Sequence, residues 1–202
     1  MSFFSFFKSK KDHKSTSTDK VIPKKTNSDI NDFERIENQV YTGIAIYVRD
    51  VNLTNELADK YVSGLIIREK AFTDASNRVM GMTTSHRYMI LSNHMTNFSL
   101  FEQGTNWGLH IAKKDSRFKV LGKHTYNGKT AIVLLHLPDN DNWKVYKNCQ
   151  FPLDEELYQS SIKRFEIKCE MAPIPELSTP EWLNRCKFPV GMDDNGNFWS
   201  LE

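Results

Sequence analysis

Apolar positions change their period several times along the chain, and each period predicts an element. Val40 and the run Gly43 to Val48 are β-branched and aromatic enough for a buried strand that closes at the polar Arg49 and Asp50. Asn52 suits a helix N-cap. Leu53, Leu57, Tyr61 and Leu65 follow at spacing four, which predicts a helix with one apolar face. Short strands are expected at Arg78 to Met82 and Arg87 to Leu91, around a polar turn at Thr83 to Ser85, and again over Trp107 to Ala112.

Asn127-Gly128 is the strongest local signal, because it lies between two β-rich runs and supplies the positive φ that both central residues of a type I′ turn need. If Tyr126 stands opposite Lys129, then Val120 faces Leu135 and Phe118 faces Leu137. That register puts Phe118, Val120, Gly122, Ala131, Val133, Leu135 and Leu137 on one core face. The other face collects Lys119, Leu121, Lys123, Ile132, Leu134 and His136, a mixture that predicts partial cover by a helix or a partner. Trp143 to Tyr146 is expected to continue the sheet.

The last third turns helical. Leu153, Leu157, Ile162, Phe165 and Cys169 fall near one side of a helix that begins after Pro152, with Asp154, Glu155 and Glu156 at its positive end. Thr179-Pro180-Glu181 supplies an N-cap hydroxyl, a proline at the first helical position and an early acid, so a short helix should run to about Cys186. Phe188 to Met192 and Asn197 to Leu201 flank Asp194-Asn195-Gly196 as a closing hairpin. The sum is an α+β fold, a mixed and mainly antiparallel sheet with two or three packed helices.

Composition changes this picture only at the N-terminus. The 202 residues are 39% apolar and 26% charged, in the range of ordinary globular chains. The longest apolar run, Ala131 to Leu135, is far short of the roughly 20 residues a membrane span needs. Residues 1–29 carry seven lysines against three aspartates, whereas the rest holds 20 basic and 22 acidic residues. A nearly neutral body offers no footprint for nucleic acid. Residues 1–29 therefore read as a basic, Phe-rich leader and flexible linker, and 30–202 as a single globular domain. The leader sets Phe3, Phe4, Phe6 and Phe7 before Lys8, Lys10 and Lys11, so residues 3–14 are candidates for weak contact with an anionic membrane surface. The leader also lacks the layout of a secretory signal, and Cys149, Cys169 and Cys186 form neither a disulfide framework nor a thiolate metal site, so a reducing cytoplasm is expected.

Candidate chemistry is sparse. His86, His94, His110, His124 and His136 show no metal-ligand spacing such as HExxH and read as structural, so no metal and no cofactor are expected. GxSxG and the glycine-rich phosphate loops are absent, and Asp139-Asn140-Asp141-Asn142 reads as a solvated turn. Cys149 is the one plausible nucleophile, with His124 or His136 and a nearby acid as partners in an alternative enzymatic reading. Asn93 to Gly108 is polar and loop-like yet carries Met95, Phe98, Phe101 and Trp107, residue types that anchor protein interfaces.

The opening MSFFSFFKSKK and the ending FPVGMDDNGNFW resemble those of small bacterial cytoplasmic proteins, among them immunity proteins of polymorphic-toxin and secretion-system effector pairs. This resemblance implies a non-enzymatic binding module, an immunity-type inhibitor that blocks a cognate toxin or effector by shape and charge complementarity.

Overall fold

The computed structural model describes residues 27–149 and 151–202. Helix α1 (Asn27–Tyr41) opens them, three residues before the expected start of the folded body, and it takes in Val40, which the sequence assigned to a strand. Next come β1 (Ala45–Val51), α2 (Asn55–Asp59), β2 (Ile66–Glu69), β3 (Thr73–Ser76), β4 (His86–Ser92), β5 (Thr96–Asn97), β6 (Leu109–Ala112), β7 (Ser116–Tyr126) and β8 (Lys129–His136). Helices α3 (Val145–Asn148), α4 (Pro152–Cys169) and α5 (Pro180–Arg185) complete the described chain.

The strands form one eight-stranded sheet in the order β2-β7-β8-β4-β1-β3-β6-β5. Its β4–β8 pairing is parallel and the other pairings are antiparallel, so the fold is α+β around a mixed, mainly antiparallel sheet. Both faces are covered. On one, Ile67, Tyr88, Ile90, Phe118, Ile132 and Leu134 pack beneath α2 and the C-terminal segment around Val190 and Met192. On the other, Met89, Leu91, Leu121, Val133 and Leu135 pack against Val40 of α1, Tyr146 of α3 and Phe165 of α4. Two-sided burial explains why β4 and β8 are near-continuous apolar runs without alternation.

The β7–β8 hairpin turns at Asn127-Gly128 with Tyr126 opposite Lys129, as the sequence predicts. Beyond Gly122 the register differs, because a bulge at Leu121 lets Val120 pair with Leu134 and Phe118 with His136. One extra residue flips every later side chain to the other face. Phe118 and Val120 therefore join Ile132 and Leu134 on one face, while Leu121 joins Ala131 and Val133 on the other. The bulge receives the 63–65 segment. Ser63 Oγ donates to the Leu121 carbonyl at 2.9 Å, and the Gly64 amide donates to the Val120 carbonyl at 2.8 Å.

Other expectations are revised. The helix expected over Leu53 to Leu65 is a single turn capped by Thr54, yet its four apolar residues all reach the core. Residues 78–82 form no strand, and β2 and β3 arise where none was expected. Trp143 and Tyr146 lie on a 3-10 turn (Asp141–Lys144) and on α3, where they fill the core as helical residues. The closing hairpin reduces to one bridge, Met192 to Phe198. The helices α4 and α5 form as read, with Thr179 Oγ1 accepting from the Trp182 amide.

Candidate functional site

Two features stand out from the packed body. The first is the loop between β5 and β6, where a 3-10 turn (Ser99–Phe101) ends a two-residue strand. Gln103, Gly104, Asn106 and Gly108 all have positive φ, a concentration that folds the loop back sharply. Gly108 is required for space as well, since a Cβ there would lie 2.3 Å from Asn77 Oδ1. Buried Glu102 ties the loop shut by accepting from the Leu109 amide, and Thr105 Oγ1 donates to the Glu102 carbonyl at 2.9 Å.

On this pinned backbone Leu100 is 93% exposed and Phe101 73% exposed. The ring of Phe98, 5.5 Å from that of Phe101, lies half-buried against a small cluster around Leu109 and Trp182. Trp107 packs on Trp182 at 5.4 Å, with the Arg185 guanidinium 5.5 Å from its ring centre. Met95 belongs to the main core. Of the four sequence candidates, then, Phe101 is presented, Phe98 and Trp107 form its base, and Met95 is buried. Leu100 was missed, because nothing in an aliphatic residue between Ser99 and Phe101 marks it as exposed.

The second feature is a cluster at the ends of β4 and β8. Parallel pairing sets Leu91 beside Leu135, so the residues just beyond, Ser92 to His94 and His136 to Asp139, meet. His136 is buried, with Nδ1 2.9 Å from Ser92 Oγ and Nε2 3.1 Å from Ser116 Oγ. Its ring stacks between those of His94 at 3.9 Å and Phe118 at 4.8 Å. Burial first, then the neighbouring His94 and Lys113, hold its pKa well below the ordinary histidine value. His94 is lowered by burial too, opposed by the Asp139 carboxylate and the Leu137 carbonyl. One ligand atom from each of His94, His136 and Asp139 falls within 4.8 Å of the others. A surface pocket of about 230 Å³, lined by Gln39, Asn93, His94, Pro138, Asp139 and Asn140, opens beside them.

Among the described residues no hydrogen bond is seen between the Cys149 thiol and His124 or His136. The Cys149 carbonyl accepts from Lys119 Nζ at 2.8 Å, while His124 Nε2 pairs with Glu166 at 2.8 Å on α4 and His136 is held by its two serines. The leader residues Phe3, Phe4, Phe6, Phe7, Lys8, Lys10 and Lys11 lie outside the described residues. Among the described residues no helix is long and apolar enough to cross a membrane.

No protein family and no characterised protein matches the chain by sequence. Among solved structures it is similar to the type III effector XopAI from Xanthomonas axonopodis pv. citri, at 14% identity and a TM-score of 0.42, over 50% of this chain and 44% of that one. It is similar as well to the ADP-ribosyltransferase HopU1 of Pseudomonas syringae pv. tomato, at 15% identity and a TM-score of 0.42, over 46% of each chain. Exoenzyme S from Pseudomonas aeruginosa matches at 12% identity and a TM-score of 0.42, over 62% of each. The matched part spans less than half the length of the first two. The three are described as a type III effector, an ADP-ribosyltransferase and an exoenzyme, and none as an immunity protein. They correct the expectation of an immunity protein, and with it those of a toxin inhibitor and of a non-enzymatic role. At this identity and TM-score they assign no activity to the chain.

Proposed function

We propose that this domain holds a protein partner through the β5–β6 loop, with Leu100 and Phe101 as anchors and Phe98 and Trp107 as the base that supports them. The observation that carries the reading is the pairing of two large exposed apolar side chains with a backbone pinned by Glu102 and by four positive-φ residues. Apolar anchors on a pre-ordered loop lose little conformational entropy on binding, which is how a small contact gains affinity. Residues 96–106 contain no Lys or Arg, and their one acid, Glu102, is buried. An anionic membrane surface attracts basic clusters, so the uncharged tip favours an apolar pocket on a folded protein. Neither inhibition of a toxin nor the absence of catalysis is part of the proposal.

A photo-reactive phenylalanine analogue at position 101, expressed in the source cells, tests it. One dominant cross-linked polypeptide is expected, lost when Leu100→Asp is added and absent when the probe replaces Phe72, an exposed ring outside the loop. Lipid adducts, scattered products or no product at all would overturn the reading.

A further inference from the structure

We infer that His94, His136 and Asp139 form a binding site for one divalent transition-metal ion, zinc-like in its preference for imidazole nitrogen and carboxylate oxygen. Asn93 fixes the tautomer of His94. Its amide nitrogen donates to the carbonyls of Gln39 and Thr42, both at 2.9 Å, which fixes the orientation of the amide and leaves Oδ1 2.7 Å from His94 Nδ1. An amide oxygen only accepts, so Nδ1 carries the proton and the free lone pair of the neutral ring sits on Nε2. That atom is buried and has no hydrogen-bond partner among the described residues. A buried, unpaired acceptor is costly, and few native ones lack a reason.

The surroundings of Nε2 supply the reason. One ligand atom each of Asp139 and His136 lies within 4.8 Å of the His94 ligand atom, so a carboxylate and a second imidazole flank the space that a cation would fill. Lys113 already holds an ammonium 3.1 Å from Asp139 Oδ2, in an exposed pair of the kind that contributes little and is readily displaced. His136 supplies the second nitrogen by releasing one serine. The other serine then keeps the opposite ring nitrogen bonded, the outer-shell support that metal-bound histidines show. Ligand atoms in a tetrahedral zinc site stand roughly 3.4 Å apart for metal–nitrogen distances of about 2.1 Å, so closing separations of up to 4.8 Å takes shifts of up to about 1.4 Å and unstacking of the two rings. Two nitrogens and one oxygen would leave a fourth position for water, and a pocket lined by His94 and Asp139 lies beside them. Such a centre would pin the chain that leads into β5 to the end of β8, independently of the docking loop.

Equilibrium dialysis and calorimetry of the full chain with Zn²⁺, and visible absorption with Co²⁺ as a probe of nitrogen ligation, test the site. One ion per chain and a tetrahedral Co²⁺ spectrum are expected. Asp139→Asn should weaken binding by at least about tenfold and His94→Ala by at least about a hundredfold, since changes even to outer-shell partners of a metal site cost roughly 10–100-fold. Lys113→Gln, which removes the competing ammonium at an exposed position, should bind more tightly. Asp139 and Lys113 are surface residues whose replacement leaves the core intact, so the outcome does not depend on how His94→Ala folds. Absence of stoichiometric binding by the unaltered chain, or affinity unchanged by Asp139→Asn and Lys113→Gln, overturns the site.

Discussion

His86 lies buried at the head of β4, its Nδ1 2.8 Å from Ser85 Oγ, and burial, with Lys123 nearby, holds its pKa below the ordinary 6.5. In the unfolded chain it titrates near 6.5, so below that pH the unfolded state binds a proton that the folded state refuses. Its contribution to stability is therefore complete above 6.5 and is lost as the pH falls from there toward the lower folded value, by at most about 1.4 kcal/mol per pH unit. In chelator, the urea midpoint of His86→Gln should drop less than that of the unaltered chain between about pH 7.5 and 5.5; parallel drops would refute the assignment. The same scale shows what a sequence conceals. Phe98, Phe101 and Trp107 could be picked out as ring-bearing loop residues, but which ring meets water depends on four positive-φ positions that composition does not reveal. His94, His136 and Asp139 had no signal at all, since parallel pairing of β4 with β8 brings together residues more than 40 positions apart.

Elements were legible where the local signal was also the global one. Pro152 and the acids after it mark α4, Thr179-Pro180 marks α5, and Asn127-Gly128 fixes the hairpin, because caps and turns are decided within a few residues. The bulge at Leu121 was not legible, since its cause is the distant 63–65 segment that docks there. Trp143 and Tyr146 looked like strand residues, yet a two-sided core accepts the same aromatics from a helical turn. The bulge makes a test possible at the next residue. A Cβ on Gly122 would lie 2.7 Å from Cε2 of Tyr158, whose hydroxyl donates to the Lys123 carbonyl at 2.7 Å and fastens α4 onto β7. Its φ is not in the left-handed region, so Gly122→Ala reports crowding alone. It should cost about 1–3 kcal/mol in urea unfolding, and much less in a Tyr158→Leu background. Equal losses in both backgrounds would show that helix packing is not the constraint.

Across the whole molecule the decisive departure from the sequence reading is at Arg49 and Asp50, which look like the polar end of a strand. Instead β1 runs on to Val51 and both residues are buried. Asp50 takes Arg87 of β4 in a two-pronged pair, at 2.6 and 2.8 Å, and Arg87 also donates to the carbonyls of Met80 and Gly81. Gly81 in turn bridges to Pro173, beyond α4, where there is no room for a side chain. Arg49 reaches the carbonyls of Asp74, Arg185 and Phe188. Adjacent charges on β1 thus fasten the centre of the sheet to the 78–85 connection and to the C-terminal region. Removing one member leaves its partner charged and buried, so Asp50→Ala should destabilise the fold by about 3–5 kcal/mol. Replacing both with apolar residues of similar size, Asp50→Leu with Arg87→Met, removes the stranded charge but leaves the Met80 and Gly81 carbonyls without their donor. Each such loss costs about 1–3 kcal/mol, so the double variant should recover only part of the stability. Urea unfolding of the two variants decides between a pair that contributes through its charges and one that acts as a donor to the backbone. Full recovery would show that the Met80 and Gly81 carbonyls find other partners once the guanidinium is gone.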